Sequence, residues 1–440
     1  MSRTAGALPL GRTTTPDDDV RSPVRPPTVV VPWSPPVPRG LLALAIGAFG
    51  IGTTEFVVMG MLPEIADGLG VSVSAVGLLI SAYAVGVVVG APTLTALGVR
   101  FPPRRTLVAL MVVFVVGNTL SALAPTYETL VAARVLTALV HGAFFGVGAV
   151  AARRLVPPER ATQAIALMIT GLTLANVVGV PLGTLVAQQL SWRLVLGGIA
   201  VIGLVTIATL LAWLPAGAGE RGDLRAELSA FRRPQVWLVL ALTMFGFAAL
   251  FAVYSYVSPI LTDLAGLPEG WVTPVLALFG VGMTVGTLAG GRLGDRFGFS
   301  LVVVGLLLTA LLLAGLALTA RTPAAAVVLL VLFGTVAFSL GPVVQNGVIE
   351  AARVAGGSLV SAANQAAFNV ANAIGAAVGA LVISLDLGYT GPIWAGVVMA
   401  LLGAVLALAV RRADRRESAR VTADVRRWRE EIGGRMDTAA

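Results

Sequence analysis

Residues 50–67 read Gly50-Ile-Gly-Thr-Thr54-Glu55-Phe-Val-Val-Met59-Gly-Met-Leu-Pro63-Glu-Ile-Ala-Asp67. The stretch is the exit half of an apolar run that begins near Leu41. At about 1.5 Å per residue, that run is long enough to cross a bilayer as a helix. One carboxylic acid, Glu55, stands in its middle. An ionisable side chain at membrane depth costs roughly 2.5–3.5 kcal/mol on insertion scales, which makes it a functional candidate by default. The plainer reading is an acid paired to a neighbouring helix for packing.

The stretch returns later in the chain. Phe49-Gly50 reappears as Phe245-Gly246, an offset of 245 − 49 = 196. At that offset, without a gap, Pro63 meets Pro259, Asp67 meets Asp263 and Gly70 meets Gly266. Gly86 and Gly90 meet Gly282 and Gly286, and Arg100-Phe101 meets Arg296-Phe297. Ala175-Asn176 meets Ala371-Asn372, while Gly179 and Gly183 meet Gly375 and Gly379. One register held across four separate segments marks a tandem duplication.

Composition sets the environment. Of the 440 residues 57% are apolar and 12% charged, against about 25% charged in soluble domains. Mean hydropathy is +0.91, so the chain is expected to be an all-α integral membrane protein. Apolar spans start near residues 40, 73, 104, 127, 161 and 192, and again near 235, 271, 299, 323, 357 and 389. Twelve helices in two six-helix halves are expected. The domain reading is a disordered N-terminal tail over 1–39, a first bundle over 40–214 and a linker over 215–234. A second bundle covers 235–411 and a tail 412–440. The first 39 residues hold nine prolines and Asp17 to Asp19, too polar a composition to fold alone. The Arg/Glu-rich C-terminal segment reads as a solvated tail or as a helix on a lipid surface.

The net charge of +8 comes from arginine, since the chain has no lysine. Thirteen arginines from Arg100 to Arg353 fall in loops on one side; Arg193 and Arg321 fall on the other, among Glu64, Asp67, Glu128 and Asp263. That is the positive-inside pattern, placing both termini in the cytoplasm of a cell expected to be bacterial. It also accounts for the basic charge with no nucleic-acid partner. Without cysteine, thiol chemistry is excluded, and the single His141 rules out multi-histidine metal sites. Neither metal nor cofactor is expected.

The duplication allows a direct comparison of halves. Arg134 and His141 lie seven residues apart, on one helix face two turns from each other. At offset 196 their partners are Leu330 and Ala337, and the partner of Glu55 is Phe251. The mid-span ionisable groups therefore lie in the first half. The second offers Tyr254, Tyr256, Gln345, Asn346, Asn364, Asn369 and Asn372. Protons are expected to be handled by Glu55, Arg134 and His141. The cavity contacts are expected from those second-half residues together with Thr54, Met59, Phe144, Phe145, Thr173 and Asn176. His141 also reads as a satisfied core histidine.

Two further patterns bear on packing. The loop Gly291-Arg-Leu-Gly-Asp295-Arg296-Phe-Gly298 has the counterpart Thr95-Ala-Leu-Gly-Val99-Arg-Phe-Pro102, which lacks the acid. An Asp among arginines can latch one helix end to another, and the alternative is an ordinary charged turn. In the fifth span Gly179 and Gly183 form a small-xxx-small face and Pro181 bends the helix. Thr170, Thr173 and Asn176 form a polar stripe that either joins helices or lines a cavity.

A duplicated six-plus-six chain with these loops resembles the major facilitator superfamily over residues 40 to about 410. Gly291 to Gly298 is similar to that family's loop signature, and the helix carrying Arg134 resembles its proton-linked arginine motif. Gly171 to Gly183 resembles its antiporter motif, although the Gly-Pro pair stands here as Val180-Pro181. Gly52-Thr-Thr-Glu-Phe56 and Val140-His-Gly-Ala-Phe-Phe-Gly146 resemble the drug:proton antiporter branch, which includes chloramphenicol exporters, arabinose-efflux-like permeases and purine ribonucleoside exporters. The resemblance implies two rocking bundles with a midplane site between them. It also implies a monomer that trades protons against a small molecule. A phenicol-like drug is favoured over a sugar or a nucleoside. A uniporter needs no mid-span acid. An ATP-driven pump needs a phosphate loop with lysine, which this chain lacks. No catalytic constellation points to an enzyme. A non-transporting sensor would bind ligand without flux.

Overall fold

The computed structural model describes residues 37–216, 223–353 and 357–437. Among the described residues twelve long helices cross the molecule. In the first half these are α1 (Arg39–Phe56), α2 (Val73–Gly98), α3 (Pro103–Ala122) and α4 (Tyr127–Arg154). Helix α5 runs through Ala161–Leu174, then a π-helical turn, Ala175–Gly179, then Val180–Gln189, and α6 is Trp192–Trp213. In the second half they are α7 (Pro234–Tyr254), α8 (Val272–Phe297), α9 (Phe299–Thr319), α10 (Pro323–Ala352), α11 (Ser358–Ser384) and α12 (Thr390–Asp437). All twelve are long and apolar enough to span a membrane. Among the described residues there is no strand.

Local signals start these helices where they start. Ser72 accepts from the Ala75 N–H to cap α2, and Thr126 with Thr129 forms a capping box on α4. Proline occupies the first turn of α3, α7 and α10, where its missing N–H goes unneeded. Leu78, Val85, Leu204, Leu311 and Val398 are exposed. That apolar surface suits hydrocarbon, which leaves helices as the way to satisfy the backbone.

The duplication is visible in three dimensions. In the first half α2 packs on α4, α1 on α5 and α6, and α3 on α4 and α6; in the second, α8 packs on α10, α7 on α11 and α12, and α9 on α10 and α12. Between halves α5 meets α8 as α11 meets α2, and α4 meets α11 as α10 meets α5. Gly70 and Gly266 both sit at positive φ, +66° and +68°, each ending a short helical segment that follows α1 or α7. A side chain at Gly90 would strike the backbone of Leu139, and one at Gly286 that of Thr335. Since 335 − 139 is again 196, the glycines hold equivalent helix pairs at equivalent points.

Of the tail and linker, residues 1–36, 217–222 and 438–440 lie outside the described residues. The rest of the linker holds a short helix, Leu224–Ser229, and a 3-10 turn, Ala230–Arg232. Helix α12 does not stop at the apolar boundary near Ala409 but continues unbroken to Asp437. Its extension contains no proline until the end of the chain and is rich in Arg, Glu and Ala, all strong helix formers.

Candidate functional site

Helix α1 carries the deepest acid because its own surface is small. Gly47, Gly50 and Gly52 let Phe144, Ile202 and Leu172 come close, so α1 is buried against α4, α5 and α6. The α-helix ends at Phe56 and tightens into a 3-10 turn, Val57–Gly60, one residue beyond Glu55. Tightening there frees backbone carbonyls that the regular ladder would have used.

Arg134 of α4 takes up one of them. Its side chain is 1% exposed. Its guanidinium donates to Thr54 O at 2.8 Å and to Thr54 Oγ1 at 2.9 Å. Thr54 Oγ1 passes a hydrogen on to Asn118 Oδ1 of α3 at 2.7 Å, and Asn118 Nδ2 donates to Phe114 O at 3.0 Å. The guanidinium also lies over the Tyr83 ring of α2, 4.7 Å from its centroid. Tyr83 Oη is 3.3 Å from His141 Nδ1, and the same nitrogen is 3.9 Å from Glu55 Oε2. Glu55, His141 and Arg134 are thus joined through Thr54 and Tyr83. Two of the guanidinium nitrogens thus meet neutral oxygens and its face meets an aromatic ring, with no carboxylate clamp, while Nε is buried without a hydrogen-bond partner. That arrangement leaves the Glu55 oxygens facing open space.

The open space is a cavity of about 930 Å³, its mouth included, between α1, α4 and α5 on one side and α7, α8, α10 and α11 on the other. Glu55 and His141 form its polar wall. The opposite wall is aromatic: Phe368 stands edge-on to Phe247 and Phe251, each at 5.2 Å between centroids. Tyr254 is stacked on Phe279 at 5.3 Å. Rings held edge-to-face present a rigid apolar surface with exposed π faces.

The amides that line the cavity beside those rings are largely spent on one another. Thr243 Oγ1 donates to Asn364 Oδ1 at 2.6 Å, Asn364 Nδ2 to Gln345 Oε1 at 2.6 Å, and Gln345 Nε2 to Ser361 Oγ at 2.5 Å. Asn176 and Asn369 each donate to a carbonyl four residues back, Leu172 O and Gln365 O. That bond fixes which end of each amide is nitrogen.

Eight expected residues come together on the cavity: Glu55, His141, Phe145, Asn176, Tyr254, Gln345, Asn364 and Asn369. The others lie elsewhere. Thr54 and Arg134 sit one layer behind it. Phe144 is buried inside the first bundle against Gly47, and Met59 is exposed on the 3-10 turn. Thr173 accepts from Thr284 across the bundle interface at 3.0 Å, Asn346 donates to Glu350 at 2.9 Å and Tyr256 donates to Ala376 O at 2.7 Å. Asn372 does not line the cavity. Tyr83, Asn118, Phe247 and Phe368 were not singled out from the sequence. Asn118 offered a signal, a lone amide in mid-span, but the phenylalanines look like any lipid-facing residue until their neighbours are known.

The packing residues occupy the ends and bends. Gly179 lies against Thr53 and Phe49, and Gly183 against Val57, while Pro181 follows the π turn of α5, a pairing that bends a helix. Gly291 and Gly294 of α8 meet Gln163, Ala166 and Thr162 of α5. Asp295 accepts from the Thr162 N–H at 2.8 Å and the Gln163 N–H at 3.1 Å. Arg296 stands over the Phe297 ring at 5.1 Å, and Gly298 turns the chain at φ +52°. On this arginine-rich face the two halves are in contact.

A duplicated twelve-helix bundle with a cavity between its halves is the architecture of a membrane transporter. The family model for the Major Facilitator Superfamily matches residues 44–364, and the chain belongs to that family. It is 44% identical over 368 residues to the inner membrane transport protein YdhP of Escherichia coli K12, covering 82% of this chain and 94% of that one. It is 36% identical to a chloramphenicol resistance protein of Streptomyces lividans, covering 86% and 96% of the two chains. Among solved structures, the proton:xylose symporter XylE bound to 6-bromo-6-deoxy-D-glucose superposes with a TM-score of 0.70 at 16% identity, covering 84% of this chain and 95% of that one. The protein is a multi-pass membrane transporter of that superfamily.

Proposed function

We propose that the protein is a monomeric proton-coupled antiporter of a bacterial inner membrane, exporting small aromatic amphipathic molecules of the phenicol kind, with both termini cytoplasmic. The observation that carries this reading is the meeting of Glu55 and His141 with an aromatic wall on one cavity. Glu55 takes a proton from the outer side and releases it inside, His141 and Arg134 bias that exchange, and the cargo competes for the same space. A sugar or nucleoside needs several free hydrogen-bond partners. Gln345 and Asn364 are bonded to each other, which favours the aromatic cargo. The relative named for chloramphenicol resistance supports the same class.

The energetics suffice. The membrane potential gives about 2.3 kcal/mol per charge per 100 mV, and a pH unit adds about 1.4 kcal/mol. Together, near 4 kcal/mol, they sustain roughly a thousandfold gradient per proton.

The test is fluorescence-reported pH in energised inside-out vesicles, adding chloramphenicol, arabinose and inosine in turn, with wild type beside Glu55→Gln. Proton movement driven by chloramphenicol in wild type, lower by on the order of a hundredfold in the mutant, is the expected result. A mutant that responds like wild type removes Glu55 from the coupling.

A further inference from the structure

Two pairs of backbone N–H groups at equivalent positions point out of the arginine-rich face. Thr162 and Gln163 open α5, Ser358 and Leu359 open α11, and both pairs are related by 358 − 162 = 359 − 163 = 196. The first N–H groups of a helix have no partner in the helix itself, and a carboxylate there satisfies them and complements the helix dipole. Asp295 does this for α5. By the symmetry of the chain, the acid for α11 belongs at 295 − 196 = 99, and Val99 stands there. Glu227 of the linker helix Leu224–Ser229 takes its place, accepting from the Ser358 N–H at 3.2 Å and the Leu359 N–H at 3.0 Å. An acid in the middle of a polar linker is ordinarily solvated, yet Glu227 is 2% exposed.

The two carboxylates differ in what they join. Asp295 is on α8 in the second half and holds α5 in the first, so its bonds cross the interface and must break when that face opens. Glu227 leads directly into α7. The linker helix packs on α11 and the turn after it on α7 and α10, and Trp237 donates to Phe231 O at 2.7 Å, closing the linker onto the start of α7. Its bonds therefore stay within the moving body that contains α11.

We infer that the gate on the arginine-rich face is asymmetric: Asp295 is a latch that opens in each cycle, and Glu227 is a positioning residue that keeps α11 capped throughout. The linker is thereby a working part of the second bundle and not only a tether. The inference rests on the alternating-access reading and is independent of proton or cargo, because its test is made without substrate.

The chain has no cysteine, so spin labels can be placed at will. Labels at F101C and F297C, two exposed and symmetry-related positions, report the width of the arginine-rich face in full-length protein in lipid nanodiscs. Gly291 lies against Ala166 and Gln163 of the other half, so G291W wedges the face open, and the label distance verifies this. Hydrogen–deuterium exchange is then read on the peptides carrying residues 162–163 and 358–359. Exchange should rise at least about tenfold at 162–163 and stay unchanged at 358–359. A rise at both, or at neither once the face is open, overturns the inference. In E227Q, exchange at 358–359 should rise with no change in label distance, whereas D295N should lengthen the distance. E227Q widening the face as D295N does overturns the assignment of Glu227. Should E227Q fail to fold, the wedge variant decides alone, with Glu227 intact.

Discussion

The two walls of the cavity descend from one repeated unit, yet they share almost no chemistry. Position 55 is Glu and position 251 is Phe; 134 is Arg and 330 is Leu; 141 is His and 337 is Ala. The backbones agree, down to the glycines at 90 and 286 that bring equivalent helices together. What differs is what surrounds each residue. Glu55 shares its wall with His141 and is backed by a charged and polar chain through Tyr83, Arg134, Thr54 and Asn118. Phe251 shares its wall with Phe368 and with amides that are bonded to one another. A scaffold duplicated whole can thus divide labour, because function lies in side chains whose surroundings were specialised separately.

The strongest way to break this comparison is to exchange the two residues. Glu55→Phe alone should abolish proton-linked transport. Glu55→Phe with Phe251→Glu should fail to restore it, since a carboxylate at 251 meets Phe368 and Phe247 and lacks the Arg134 and His141 partners. An uncompensated acid in that position should also lower stability by roughly 1–3 kcal/mol. Both are read from one preparation, by vesicle pH response and by thermal unfolding in detergent. Recovered transport would show that either wall can host the proton.

The same contrast marks how far the sequence could be read. Helix starts from pattern alone fall within one residue of those observed, because apolar runs, prolines and capping residues act locally. The acid of the site was legible too, since a carboxylate in mid-span has few explanations. What was not legible depends on partners far away in the chain. Gln345 and Asn364 are 19 residues apart and on different helices, and no local rule says that they bond to each other. Glu227 looked like one more charge in a linker because its partners lie 131 and 132 residues downstream. Thr54 sits beside Glu55 in sequence, but its carbonyl is taken by Arg134 only because α1 tightens there.

The amide set tests whether the second wall is built for rigidity or for recognition. Asn364→Ala removes the donor to Gln345 and one acceptor of Thr243, leaving Gln345 Oε1 unpaired while Thr243 keeps the Val239 carbonyl. A lost buried hydrogen bond of this kind costs about 1–3 kcal/mol. The expected outcome is a lower unfolding temperature with the cargo half-saturation concentration changed by less than about threefold. If instead affinity collapsed while stability held, the amide would be a cargo contact, and the hydrogen-bonding alternatives among cargoes would regain weight.

The smallest effect is expected where the halves differ without consequence. Met59 lies on the turn after α1 and is 44% exposed. Its counterpart at 59 + 196 is Ser255, exposed just after α7. Met59→Ser therefore makes the first half copy the second at a position that packs against little in either. Stability should stay within about 0.5 kcal/mol of wild type, as for surface substitutions that touch no cap, core or network. Transport should be unchanged in the same vesicle assay. A large loss of transport would place Met59 on the path of the cargo between the cavity and the outer surface. The divergence of the two halves would then extend beyond the midplane and along the exit route.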